Sequence, residues 1–389
     1  MRFEHVNLIG PDFTMKKDMT VVVENEYITG IGKEILSVPA DEDTYDLTGL
    51  TLFPGFIDIH IHGADNEDTS DANVKGLETI SAYLASRGVT SFCPTTMMIS
   101  KDAMRHVLMA AEVFSEQQTR GAHMIGLRLE GPFLSKEKCG VQNTDYAEEP
   151  SVENLEELLS GFPENLVAIV DVSPELPGAE EFIKAMKGKA VVSIAHTAAT
   201  YAQTKNAIDN GAHHATHLFN AMNPLDHHEP GAVGALLTDE RATCELICDG
   251  MHVHPSVLSI AWKCIGEDRA VVVSDAMRAA GMPDGEYDLG GKTVQVRNGR
   301  TDMGNGKLAG STTDMLTEFK NLLSWGMSLR SALKACTINP AKALGISDLT
   351  GTLEPGKFAD MVAFDGDWNV KKVWVQGRLV YEAPAVEAE

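Results

Sequence analysis

Over the first 50 residues apolar and polar positions alternate in short runs, as in Val21-Val22-Val23, Tyr27-Ile28-Thr29 and Ile31, broken by Gly and Asp. Period-two alternation bounded by turn residues predicts short antiparallel strands. The last 40 residues repeat the style, from Gly351 to Phe364 and again from Lys372 to Tyr381. Two β-rich ends around a different middle predict one small β-sandwich domain built from both termini, residues 1–53 plus 350–389.

Between the ends, strand-like and helix-like runs take turns. Eight apolar runs read as strands: 55–60, 89–94, 124–130, 166–173, 190–196, 213–217, 243–249 and 270–275. Helical periodicity fills most of the gaps, at Ser70–Arg87, Lys101–Gln118, Ser151–Ser160, Tyr201–Asn210 and Pro255–Cys264. Eight alternations predict an α/β protein whose parallel sheet closes into a (β/α)8 TIM-type barrel over residues 54–349. A doubly wound open sheet competes with it, but no G-x-G-x-x-G opens any of these helices.

Composition narrows the function classes. Of 389 residues, 43% are hydrophobic and 23% charged, ordinary for a packed chain, which sets aside disorder. No apolar run approaches the roughly 18 residues of a membrane span. The start, MRFEHVNLIG, has no cationic stretch before an apolar segment. The six cysteines form no C-x-x-C pair and read as reduced thiols, so the expected location is cytoplasmic. Thirty-two basic against 56 acidic residues give a formal charge of −24, which opposes nucleic-acid binding. An anionic small substrate must then be caught by local cations.

Polar residues that interrupt apolar runs sit at the carboxyl ends of the predicted strands, the face on which barrels build active sites. His60 and His62, two apart on the first strand, share a face and make a chelating pair for a divalent ion. Glu130 ends the third strand in Leu129-Glu130-Gly131-Pro132, where burial is costly unless a cation or donor meets it. His196 and His217 end the fifth and sixth strands, and Asp275 ends the eighth. Each alone has an ordinary structural explanation. Their joint placement predicts a nitrogen- and oxygen-liganded centre suited to Zn or Fe, with one or two ions and Glu130 as a bridge.

These segments resemble the amidohydrolase superfamily and, within it, the N-acetylglucosamine-6-phosphate deacetylases. The resemblance runs from Pro54–Gly63 through Leu129–Phe133, Ala195–Thr197, Thr216–Met222, Glu229–Gly231 and Asp249–His252. It continues through Ser274–Gly285, Leu308–Ser311, Asn339–Ala341 and Gly351–Lys357. It implies hydrolysis of an N-acetylated amino-sugar phosphate to acetate and the free amine. By the same resemblance Glu130, His196 and His217 hold the principal metal, and His60 and His62 add a second ion. Asp275 is the general base and then acid, and His252 polarises the carbonyl or holds a sugar hydroxyl. Asn220 and Ala221 contact the substrate, and a homodimer is implied. The run Leu166–Pro174 contains no lysine, unlike relatives whose metals share a carbamylated strand-four lysine.

Two departures bear on phosphate recognition. Members commonly carry Arg before Glu-Pro-Gly, where His228 stands, and Gly-Ala-His where Gly140-Val141-Gln142 stands. Neutral His or Gln lacks the permanent bidentate charge of Arg. His228 and Gln142 remain expected substrate contacts, with Arg278, Lys136 and Lys138 as cations able to substitute. Rival readings are deacetylation of the galactosamine isomer or of an unphosphorylated N-acetylhexosamine, a non-catalytic scaffold, and a ring deaminase.

Overall fold

The computed structural model describes residues 1–33, 43–304 and 306–384. Eight parallel strands form the barrel: β1 (Phe56–Ile61), β2 (Val89–Thr96), β3 (Leu127–Leu129), β4 (Val167–Val172), β5 (Val191–Ile194), β6 (His214–Ala215), β7 (Thr243–Leu246) and β8 (Ala270–Val272). Each pairs with the next in sequence order. The ring closes just beyond β8, where Ile61 bridges Ala276 and the Asp275 N–H donates to the His60 carbonyl at 2.9 Å. The (β/α)8 expectation is met.

The five helices read from periodicity are present, and their starts have local causes. Ser100, Ser151 and Thr200 each accept from an amide in the first turn, Thr200 within a reciprocal capping box with Gln203. Pro255 opens another helix after the His254 cap. Five α-helices among the described residues were not read from the pattern: Met315–Ser324, Leu329–Cys336 and Ile338–Ala343 follow the last barrel strand, and two lie between barrel strands. Gly231–Thr238 buries nearly every residue, so it has no polar face to show a period. Ala179–Met186 is short and follows Gly178 without a side-chain cap.

Both ends of the chain meet in one mixed sheet of eight strands. Its join is the antiparallel pairing of Thr51–Pro54 with Met361–Phe364. Period two divides its residues: Met361, Ala363 and Trp374 face a separate apolar core with Phe3, Val6 and Leu52, whereas Val362, Phe364 and Val373 join the barrel's main core. A second addition had no counterpart in the sequence reading. After β8 a three-stranded antiparallel sheet, Gly285–Leu289, Lys292–Arg297 and Arg300–Asp302, packs Leu289, Val294 and Val296 on Met97 and Met277 at the barrel mouth. No helix of the described residues is long and apolar enough to cross a membrane.

Candidate metal centre and active-site cavity

Strand β1 shows how the fold aims the ligands. Ile57, Ile59 and Ile61 enter apolar clusters, while the intervening Asp58 and His60, and His62 beyond the strand, turn to buried polar partners. The other candidates leave their strand ends with unusual backbone. His196, His217 and Asp275 have φ of 43°, 25° and 47°, left-handed values that L-residues rarely adopt. Such strain, of order 1–3 kcal/mol per residue, persists where surrounding structure imposes it, often at functional sites.

The six side chains converge. His196 Nε2 and His217 Nε2 lie 3.0 and 3.1 Å from Glu130 Oε1, and His62 Nε2 lies 3.2 Å from Glu130 Oε2. His60 Nε2 and His62 Nε2 each stand 3.4 Å from Asp275 Oδ1, and His60 Nε2 is 3.6 Å from Glu130 Oε1. The donors form two sets, His60–His62–Asp275 and Glu130–His196–His217, each within 4.8 Å and all buried. The set fits a divalent cation. His60 Nε2 is buried with no hydrogen-bond partner, and the rings of three histidines are held by Nδ1 so that Nε2 points inward. Those anchors are Thr95 O for His62 (3.2 Å), Lys138 O for His196 (2.9 Å) and Glu245 for His60 (3.1 Å). The close backbone approach uses Gly140 (φ 59°), where an added Cβ would sit 3.4 Å from His196 Cε1.

Electrostatics agree with the geometry. Burial would raise the Glu130 carboxyl, but hydrogen bonds and charge from His196, with bonds from His217 and His62, hold it well below the usual range. Burial likewise works against the Asp275 carboxylate, and His60, His62 and His217 bring it down to about 2. The carboxylates lift His217 to about 9 against the opposing effect of burial. A knot of histidines and carboxylates this dense is a cation site's electrostatic counterpart.

A cavity of about 500 Å³ opens above the cluster, with His62, Glu130, His196, His217 and Asp275 in its floor and wall. Asn220, Ala221 and His252 also line it, and His252 Nδ1 donates to Asp249 Oδ2 at 2.7 Å. Gln142 lines it too, but its amide is engaged on both sides: Oε1 accepts from Met98 N and Nε2 donates to Glu130 Oε2, each at 2.6 Å. The structure places two expected substrate contacts elsewhere. Arg278 turns to Asp71 Oδ1 and Asp288 O, both at 2.9 Å, because acidic and carbonyl partners outside the mouth claim its guanidinium. His228 lies exposed, its ring tilted against that of His227 at 4.0 Å, in a loop where Asp226 Oδ1 accepts the His228 backbone N–H. The cations that line the cavity are Lys138, Arg300 and Lys307, the last two from or just after the added sheet.

Sequence reasoning missed Arg300 and Lys307, and also the buried charges beneath the cluster: Arg128, Asp171, His214 and Glu245. The signal was available. Leu127-Arg128-Leu129, Val170-Asp171-Val172 and Cys244-Glu245-Leu246 each set one charge inside an apolar strand, and Arg128 shares Glu130's face.

A closed parallel barrel with a buried nitrogen and oxygen cluster at its carboxyl mouth defines a metal-dependent hydrolase architecture. The chain belongs to the amidohydrolase family, whose model matches residues 51–380. Within it the similarity is to amino-sugar-phosphate deacetylases. The chain is 37% identical over 371 residues to N-acetylglucosamine-6-phosphate deacetylase of Vibrio furnissii, covering 95% of this chain and 92% of that one. It is 36% identical over 330 residues to N-acetylgalactosamine-6-phosphate deacetylase of Escherichia coli O157:H7, covering 84% and 87%. The crystal structure of N-acetylglucosamine-6-phosphate deacetylase from Pasteurella multocida superposes with a TM-score of 0.90 at 31% identity, covering 98% of this chain and 99% of that one.

Proposed function

We propose that the protein is a metal-dependent deacetylase of N-acetylglucosamine 6-phosphate, releasing acetate and glucosamine 6-phosphate. The observation that carries this reading is the convergence of Glu130, His196 and His217 at the floor of a sugar-sized cavity, in a chain so similar to deacetylases. Glu130, His196 and His217 would hold one divalent cation, and His60, His62 and Asp275 with Glu130 a second. Zinc or iron suits such donors without cysteine. When bound, a cation of this kind acidifies water and polarises a carbonyl.

The remaining steps fall to the chain's own groups. Asp275, kept ionised by the imidazoles around it, takes a proton from the attacking water and returns it to the amine nitrogen as the C–N bond breaks. His252 donates its Nδ1–H to Asp249, which leaves Nε2 to accept from a sugar hydroxyl. Gln142 steadies Glu130 from one side, and Asn220 and Ala221 form the wall along which the sugar lies. Lys138, Arg300 and Lys307 are the groups for the 6-phosphate. The reading includes a homodimer in which the exposed Leu225–Glu229 loop, with His228, faces the second copy. It also includes a cytoplasmic location, supported by six free cysteines.

The galactosamine isomer is a second reading, favoured by the relative that acts on it. A coupled acetate assay over N-acetylated hexosamines with and without 6-phosphate, run with Zn²⁺ or Fe²⁺ after chelation, separates these. Acetate from the gluco 6-phosphate at the highest kcat/KM is the expected result. A higher value for the galacto isomer moves the assignment to that sugar. Ammonia without acetate, or no product with any metal, overturns the deacetylase reading.

A further inference from the structure

Beneath the ligand cluster lies a fully buried group of charges that none of these steps uses. Glu245, on β7, is its hub. Its Oε2 takes the His60 Nδ1 proton and the His217 backbone N–H, each at 3.1 Å. Its Oε1 receives His214 Nε2 at 2.8 Å and Arg128 Nη1. Arg128 is in turn saturated. Nε and Nη2 clasp Asp171 at 3.0 Å each, Nη1 also reaches Ile59 O at 3.2 Å, and Nη2 reaches Thr216 Oγ1 at 2.8 Å. All five guanidinium protons have acceptors, so Arg128 cannot rotate without losing buried bonds.

The geometry points to Glu245, held by Arg128, as a positioning residue for the divalent cation on the His60–His62–Asp275 side, acting through His60 without touching ion or substrate. An imidazole offers its lone pair on the nitrogen opposite its N–H. Glu245 fixes the proton on Nδ1, and the freed Nε2 is the very atom that lies buried without a partner beside Asp275 and Glu130. The three anchored rings differ in one respect. His62 and His196 lean on backbone carbonyls, whereas His60 leans on a side chain. Only the His60 arm can therefore be retuned by substitution at its anchor. The inference rests on the metal-hydrolase reading.

Glu245→Gln tests it in the full-length chain. Arg128 and His214 must keep an oxygen opposite them, so the new amide turns its NH₂ toward His60 Nδ1, favours the tautomer with the proton on Nε2, and gives up the bond from the His217 N–H. Chelated wild type and variant are titrated with Zn²⁺ alone by calorimetry, with metal analysis after dialysis. Wild type is expected to take two ions per chain. The variant should bind the ion on the His60 side about 10–100-fold more weakly and the other with a clearly smaller loss, because the His217 N–H also leaves its acceptor, while its circular dichroism matches wild type. Two ions held as tightly as in wild type, or both weakened equally, overturns the proposal. If the variant does not fold, Glu245→Asp keeps the charge against Arg128 but draws it back from His60, and the same selective loss is expected. Failure of both variants to fold makes the role structural and also overturns it. A wild type binding one ion sinks this inference alone, whereas a wild type binding none sinks the metal-hydrolase reading with it.

Discussion

The barrel mouth and the terminal sheet both bury carboxylates, and burial works against the charge in both. The outcomes are opposite. Burial would raise Glu245, yet Arg128, with hydrogen bonds from His214 and His60, holds it well below the usual range. Asp360, just before the interior strand Met361–Phe364 of the terminal sheet, is also buried but meets only neutral donors, Gln376 N and Thr350 Oγ1, both at 2.8 Å, and rises to about 6. Asp58 makes the same point within the barrel: Ser274 and backbone amides do not offset its burial, and it rises to about 7. Burial sets the penalty, and the partner's charge decides whether the carboxylate stays ionised. The mouth is thus a region where ionised groups are kept ready for chemistry. The sheet is a region where one carboxyl serves as a neutral-looking hydrogen-bond acceptor.

Neutralising one charge in each region breaks or sharpens this contrast, and the largest effect belongs to the mouth. Asp275→Asn keeps the size of the side chain and removes the proton acceptor. The expected fall in kcat is ~10²–10⁴-fold, the usual worth of a positioned acid–base group, with the thermal midpoint little changed. Steady-state kinetics alongside a melting curve checks it. A loss under tenfold would remove Asp275 from the proton-transfer role.

That contrast also explains what was legible in the chain. The eight strands could be read because each is an apolar run and helices of visible period fill most of the gaps between them, and the ligands could be read because His, Glu and Asp end those runs. Gly231–Thr238 could not, since a helix buried on all sides shows no polar stripe. The supporting charges were visible one by one as polar interruptions of apolar strands, but their pairing was not. Glu245 and Arg128 are adjacent in no sense along the chain, and only closure of the barrel brings β3 and β7 residues together across its axis. The rim was the hardest part. His228 and Arg278 are near site motifs in sequence, yet local acceptors turn Arg278 away, while Arg300 arrives from a sheet that follows the last barrel strand.

The rim lies between the two extremes, because Arg300 is exposed and donates its hydrogen bond to a neutral carbonyl, Gly306 O at 3.3 Å. Arg300→Ala should raise KM for the phosphorylated substrate about 10–100-fold, in line with the roughly 1.5–3 kcal/mol of a hydrogen bond to a charged group. It should leave kcat, and all constants for the unphosphorylated sugar, near wild type. Raising ionic strength should weaken the wild type more than the variant. Equal loss with both sugars would assign Arg300 to shaping the cavity and not to the phosphate.

The smallest effect is expected in the terminal sheet, and it has the opposite sign. Asp360 has a folded pKa of about 6 against an ordinary 3.8, so between those values the native chain binds the extra proton. Stability from this group is greatest below about 3.8, declines as pH rises to about 6, and is level above that. At roughly 1.4 kcal/mol per pH unit the ionised form costs up to about 3 kcal/mol at pH 8. Asparagine can keep both bonds, its oxygen accepting from Gln376 N and its NH₂ donating to Thr350 Oγ1, without the charge. Asp360→Asn should therefore be more stable than wild type at pH 8, and the gain should shrink steadily as pH falls toward 4. Urea midpoints measured across that range check it. A variant that is destabilised equally at every pH would show that the carboxylate has a cationic partner after all, and that the sheet handles buried charge as the barrel mouth does.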